Sequence, residues 1–499
     1  MPVAAGSGQH WRNFGRPGTM GFDRLSLLFL LALALSLVAR ISTGWSLPFW
    51  FDEVYTGTIA AQADLAGLLR WCLTEITGPA FYVPMWLWAK VAGTSDVALR
   101  LPALILSVAG PVLIAWRGHP DRDVRLFWAT FSLLWLPMLP MATEARAYPQ
   151  ILLFGSLQAI FFLRFSRSPQ LREALAWTAV TALFVLTNYY ALVISAFQGL
   201  ALLASHRSRL SRLYPALIPI LVAGAWMVFH LPVVLRFASE HGKMFEPLPP
   251  SAILAVPWLL FGPGIHAFLI LILLAWTHSA WWKPTRKPSP EAQLVWAGIA
   301  AFALIFAAGL FRATLAPRYV TSGIPALLFG LAWWAGKLRS RKPVAVAAMV
   351  ALFLIATAAT LVTGSTDERF RDRRNLEFET ASAWLMERPI ERLYYLKPEP
   401  SPAPALEAEI AGFFFTRAGR PVRVTSGTHK SAMTPALAND RRAGVLLIGY
   451  TRTSREFEKW IEGQPAGWSC REFGQAAFAI LGCRLRPQRF PQGPSGPSH

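Results

Sequence analysis

Apolar runs of near-constant length recur along the first three-quarters of the chain, separated by short polar stretches. Each is close to the ~20 residues that cross a bilayer. Eleven spans are predicted, roughly at 23–42, 97–116, 125–142, 149–165, 173–188, 190–205, 214–233, 259–280, 292–311, 319–336 and 343–363. Basic clusters occupy alternate gaps: Arg117/Arg122/Arg125, Arg164/Arg167/Arg172, Arg207/Arg209/Arg212, Lys283/Arg286/Lys287 and Lys337/Arg339/Arg341/Lys342. Short basic loops stay on the cytoplasmic side, and the N-terminus goes with them. The gaps 43–96, 143–148, 188–190, 234–258 and 312–318 then face outward. An odd span count puts the C-terminal part outside as well. The basic lead (Arg12, Arg16, Arg24) and LSLLFLLALALSLVA also have the form of a signal peptide. The many later spans favour an uncleaved first helix.

Two segments of the first outer gap are predicted to lie along the membrane surface. Residues 53–71 are amphipathic and too polar to span; residues 79–92 are apolar but short, with Trp86 and Trp88 suited to an interface. Counting 79–92 as a span would put the next basic gap on the wrong side. After about residue 364 the runs shorten and charges rise. Helix-like 378–388 and 404–417 alternate with strand-like 392–397, PVRVTS and 443–450, and a further helix is predicted over 454–463. The expected division is a transmembrane domain over 1–363, a small α/β domain over 364–486 and a disordered tail over 487–499. The fold class is an all-α polytopic membrane protein with interfacial helices and a small extracytoplasmic α/β domain.

Composition agrees. Hydrophobic residues make up 54% of 499 positions, and mean hydropathy is +0.38. The net charge of +20 comes from the basic gaps, without a polar basic surface of interleaved aromatics, so nucleic-acid binding is excluded. The three cysteines form no CxxC or Cys/His cluster, which argues against zinc. Cys470 and Cys483 flank FGQAAFAIL in the outer domain. A disulfide and two free buried thiols both remain open there. His230, His241, His266 and His278 show no ligand spacing. There is no P-loop and no GxGxxG.

Asp52 and Glu53 stand side by side ten residues beyond the first span. Carboxylates beside lipid are costly unless they do work, which points to an enzyme at the outer face. The other reading is a helix cap, since Asp and Glu both suit a helix start. Five segments follow in order: FWFDEVYT, GPAFYVPMWLWAKVAGTSDVALRLPALILS, EARAYPQILLF, TNYYALVIS and APRYVTSGIPALL. Over most of residues 45–336 they resemble the polyprenyl-phosphate-sugar-dependent glycosyltransferases of the C-type membrane superfamily. The nearest families are the protein O-mannosyltransferase-like ones, including the lipid A aminoarabinose transferases. The C-terminal domain is not part of the resemblance.

The resemblance implies an inverting transfer of a monosaccharide from a polyprenyl-phosphate donor to a hydroxyl of a lipid, glycan or protein acceptor. It implies Asp52 as base, with Glu53 beside it to orient the acceptor or raise its partner's pKa. Glu144 matches a second acidic position. Arg146, Arg318 and, more weakly, Arg100 and Arg312 are candidates for the lipid phosphate. A local Glu144–Arg146 ion pair and a snorkelling Arg318 are the alternatives. Tyr148, Asn188, Tyr189, Tyr190 and Tyr319 either touch donor sugar or phosphate or belong to the aromatic belt. Many relatives read His-Pro-Pro-Leu-Tyr where this chain has Gly78-Pro79-Ala80-Phe81-Tyr82; only Pro79 and Tyr82 match. No metal or other cofactor is expected. The partners are the lipid-linked donor, the acceptor and membrane lipids. The Ala- and Arg-rich composition is compatible with a GC-rich bacterial genome, and the expected location is a bacterial inner membrane. A transporter or flippase of lipid-linked sugars is the rival class, and a non-catalytic relative the second rival.

Overall fold

The computed structural model describes residues 23–45, 47–207, 214–244, 248–262, 265–281, 288–311, 317–364, 378–397, 404–428, 440, 442–449, 467–473 and 479–486. So far as they are described, these residues form two compact units: 1–46 with 62–366, and 47–61 with 367–499.

The helices, in chain order, are α1 (Arg24–Gly44), α2 (Phe51–Ala60), α3 (Leu65–Cys72), α4 (Pro79–Ala92), α5 (Asp96–Arg117), α6 (Arg122–Leu133), α7 (Tyr148–Arg167), α8 (Leu171–Thr187), α9 (Ala191–His206), α10 (Ile218–Met244), α11 (Val256–Phe261), α12 (Ile265–Trp281), α13 (Pro290–Phe311), α14 (Ile324–Leu338), α15 (Pro343–Gly364), α16 (Phe378–Met386) and α17 (Pro404–Arg417). All but α2, α16 and α17 belong to the first unit. Six of the predicted spans are helices long and apolar enough to cross a membrane: α1, α5, α7, the Tyr214–Phe237 stretch, α13 and α15. The chain is a polytopic helical membrane protein. Of the other five predicted spans, α8 and α12 have 17 residues and α9 has 16, at the short limit for spanning. A 3-10 turn, Pro317–Gly323, leads into α14 in place of a single 319–336 helix.

The predicted 125–142 span differs most. Its helix ends at Leu133, and irregular backbone with a 3-10 turn at Leu136–Met138 runs on to Ala147. Pro137 and Pro140 explain the break: each lacks an N–H and pushes the residue before it out of helical space. Nearly every residue from 133 to 147 is buried, the one setting in which non-helical backbone survives at membrane depth. The freed carbonyl of Leu133 accepts from Ser36 Oγ at 3.0 Å and from Arg40 NH1 at 3.1 Å, both on α1. Arg40 is fully buried.

Other polar groups fasten the bundle. Gln158 of α7 donates to Thr181 Oγ1 (2.8 Å, α8) and Ser195 Oγ (2.7 Å, α9); such bonds between spans contribute about 0.6 kcal/mol each. Trp128 of α6 donates to the Pro325 carbonyl at 3.1 Å and packs edge-on against Phe329 of α14. Arg167 pairs with Glu291 and donates to His119 Nε2 at 2.7 Å, so basic-gap residues join α7, α13 and the α5–α6 turn.

The amphipathic stretch 53–71 is two helices, not one. Asp64 starts the second by accepting from the Gly67 amide at 2.8 Å. α4 has Pro79 at its first position and ends at Gly93, whose φ of 79° is left-handed. Its 14 residues span about 21 Å, short of the ~30 Å hydrocarbon core.

The second unit combines α2 with α16, α17 and a five-stranded sheet of order β2-β1-β3-β5-β4. The strands are β1 (Arg392–Lys397), β2 (Arg423–Thr428), β3 (Ala443–Gly449), β4 (Trp468–Phe473) and β5 (Ala479–Leu485). β1 pairs parallel with β2 and β3, while β5 runs antiparallel between β3 and β4. The parallel β1–β2 pair needs a crossover, and α17 supplies it. Val445, Leu447, Leu481 and Cys483 form the sheet's buried core. Cys470 and Cys483 are direct cross-strand partners joined by a disulfide. Cys72, in the first unit, is a free buried thiol. The predicted 454–463 helix and the 487–499 tail lie outside the described residues.

Candidate active site

The acidic pair sits in the first turn of α2. Trp50 is the N-cap, Asp52 the second helical residue and Glu53 the third. Glu53 is 1% exposed, and its Oε2 accepts from the Trp50 amide at 3.3 Å. Glu53 thereby serves one of the orphan donors every helix start leaves. Asp52 is half-buried. The two carboxylates differ in burial, and Glu53 takes the cap role.

In the helical unit, the irregular 134–147 segment delivers Glu144 and Arg146 to the start of α7. Glu144 is buried at 7% exposure, and its carbonyl accepts from the Arg146 amide at 2.6 Å. The Arg146 guanidinium reaches Tyr82 Oη of α4 at 3.5 Å. Tyr82 is fully buried. Burial pushes its phenol far up, Glu75 adds to this, and Arg146 and a hydrogen bond with Thr77 oppose it. Burial, with Glu75 again, raises the Cys72 thiol to about 11. Glu75 is an acidic neighbour that the linear pattern gave no reason to single out.

Gln150, in the first turn of α7, donates to the Ala80 carbonyl (2.8 Å) and Thr187 Oγ1 (3.1 Å), tying α4 to α8. The Gly78 amide donates to the Thr187 carbonyl at 3.2 Å. A Cβ at position 78 would lie 1.8 Å from the Leu186 carbonyl oxygen. Position 78 therefore has no room for a side chain. Between α4 and α5 a cleft holds about 340 Å³ of empty volume, open solvent included. Phe81, Met85, Trp88 and Leu106 are among its apolar walls, and Arg146 and Gln150 supply its polar groups.

The 188–190 turn is bonded within the helical unit. Asn188 Oδ1 accepts from the Tyr190 amide at 3.0 Å. Tyr189 Oη accepts from Trp226 Nε1 at 3.1 Å and lies 2.7 Å from His230 Nδ1. Burial raises the Tyr189 phenol. Tyr190 packs beside Phe302, Phe306 and Val320. Tyr148 is 5% exposed at the first position of α7. Arg100 is buried and donates to the Trp45 carbonyl at 3.2 Å. Arg318 and Tyr319 fall on the Pro317–Gly323 turn, but their side chains, like Arg312, lie outside the described residues. Among the described residues no three His, Cys, Asp or Glu are grouped to hold a metal ion.

The fold itself decides the comparison. No protein-family model and no curated protein matches the sequence. Among solved structures the chain is similar to ArnT from Cupriavidus metallidurans bound to undecaprenyl phosphate. The TM-score is 0.53 at 14% identity, covering 93% of this chain and 99% of that one. The chain has the C-type glycosyltransferase fold. The same ArnT in its apo state gives a TM-score of 0.54 at 12% identity, over 92% and 97% of the two chains. The apo Archaeoglobus fulgidus oligosaccharyltransferase gives 0.50 at 13%, over 94% and 75%. Within the C-type fold, Arg146 and Gln150 line one cleft of the helical unit, and Tyr82 bonds to Arg146 behind it. Asp52 and Glu53 share the start of one short helix in the other unit.

Proposed function

We propose that the protein is an inverting glycosyltransferase of the bacterial inner membrane, moving a monosaccharide from a polyprenyl-phosphate carrier to an acceptor hydroxyl at the outer face. The observation that carries this is the apolar α4–α5 cleft, which Arg146 also lines. Apolar walls suit a prenyl chain, and a guanidinium fork matches phosphate oxygens. ArnT of the same fold was crystallised with undecaprenyl phosphate.

Asp52 takes the proton of the acceptor hydroxyl as that oxygen attacks the anomeric carbon. Attack opposite the phosphate inverts the centre without a covalent intermediate. The C–O bond to phosphate breaks, and the leaving group carries its charge to Arg146, with Arg318 as a second receiver. Glu53 keeps the helix start formed, so Asp52 is held while Glu53 is spent on the backbone. Glu144 and Tyr148 bind the acceptor or the sugar.

One observation favours a carrier of lipid-linked sugars instead: a broken helix with a fully buried arginine, Arg40, is a frequent feature of transport pathways. Detergent-solubilised protein incubated with a panel of polyprenyl-phosphate sugars and a mixture of hydroxyl-bearing lipid, glycan and peptide acceptors separates the two. The expected result is release of polyprenyl phosphate from one donor and a product of inverted anomeric configuration. Specific binding of one donor without any release contradicts the transferase reading.

A further inference from the structure

We propose that the C-terminal domain is a positioning element for the acidic helix: α17 sets the axis of α2 through the contact of Phe413 with Gly57. This rests on the reading that α2 carries the base. Residues 47–61 are bracketed in sequence by α1 and α3 of the helical unit, yet they form one compact unit with the C-terminal residues. A Cβ at Gly57 would lie 2.5 Å from Phe413 Cζ and 3.0 Å from both Cε atoms, so the tip of the ring abuts bare backbone.

The ring is held in place. Phe413 is 4% exposed and packs edge-on against Phe414 at 5.2 Å. The Arg417 guanidinium lies 5.5 Å from the Phe413 ring, 4.8 Å from Phe414 and 5.9 Å from Phe49, just before α2. Arg417 is itself paired with Glu379 of α16. Phe49 is fully buried. A helix of ten residues is too short to be stable alone and takes its direction from what it packs on. Gly57 is five residues beyond Asp52, roughly 140° around the helix. The contact and the carboxylate therefore occupy different faces, and Gly57 acts on Asp52 by aiming the helix without touching it.

The test reads the position of residue 52 without turnover. Asp52→Cys is made in a Cys72→Ala background and labelled with a membrane-impermeant maleimide. Adding Gly57→Ala should change the labelling rate several-fold, and adding Phe413→Leu to that should restore it. In the otherwise native protein, Gly57→Ala should lower kcat by about tenfold or more with donor KM unchanged, again relieved by Phe413→Leu. An unchanged labelling rate in a monodisperse Gly57→Ala protein overturns the proposal, as does a change that Phe413→Leu does not relieve. Should Gly57→Ala not fold, Phe413→Ala alone removes the buttress and must change the rate. Failure of the transferase reading looks different: it is turnover retained in Asp52→Asn, whatever the labelling shows.

Discussion

The start of α2 and the buried turn before α7 both present polar groups, but they are built in opposite ways. On α2 the chemistry rides on regular backbone, and the cap comes from its own residue, Glu53. In the turn, Glu144 and Arg146 sit on irregular backbone with only short-range bonds of its own. Distant residues brace it: Ser36 and Arg40 hold the Leu133 carbonyl at its start, and Gln150, just beyond its end, ties α7 to Ala80 and Thr187. A local device specifies the first region; a tertiary network specifies the second. Substitutions in the network should therefore disturb the whole helical unit, while those on α2 should stay local.

The largest effect is expected at Gly78. Alanine there would drive a methyl into the Leu186 carbonyl, and backbone cannot yield as a side-chain tip can. Gly78→Ala should cost more than about 3 kcal/mol, seen as loss of the monodisperse species; a wild-type Tm would contradict the close approach. Next is Gln150→Ala. It leaves the half-buried Ala80 carbonyl and the buried Thr187 hydroxyl without this donor, at about 2 kcal/mol, read as a fall in Tm. On α2 the expected effect is smaller. Glu53→Ala should cost about 1 kcal/mol as a lost cap, while Glu53→Gln keeps an acceptor oxygen and should be nearly silent in the same assay.

The smallest effect concerns Cys72. Its thiol is raised from 9.0 to about 11 by burial and by Glu75. A raised thiol stays neutral in the folded state while the unfolded chain ionises, so its contribution is intact below pH 9 and lost as pH rises towards 11. Native protein at pH 8 should leave Cys72 unlabelled by iodoacetamide. Rapid labelling there would show that α3 is not packed as described.

Hydropathy made most of this architecture legible because a span needs little more than length and apolarity. α1, α5, α13 and α15 fall close to their predicted positions, as do β1 over 392–397 and α17 over 404–417. The break after Leu133 was written in Pro137 and Pro140, but a window average over 125–142 smooths two prolines away. The β4–β5 hairpin has too little alternation to announce itself, and its register emerges only with the disulfide pair in place. In the candidate site, the motifs named Tyr82 and Arg146, 64 residues apart, and the fold brings phenol and guanidinium together. Gln150, Glu75 and His230 were not legible, because their partners come from other helices. Nor does any local pattern reveal that Gly57 meets Phe413.

The central claim is a division of labour between adjacent carboxylates, and turnover of one polyprenyl-phosphate sugar by Asp52→Asn and Glu53→Gln tests it most directly. The account predicts a loss of about 10² or more in kcat for Asp52→Asn, with donor binding retained, and near-native turnover for Glu53→Gln. Near-native turnover in Asp52→Asn with loss in Glu53→Gln would contradict it and make the capping residue the base.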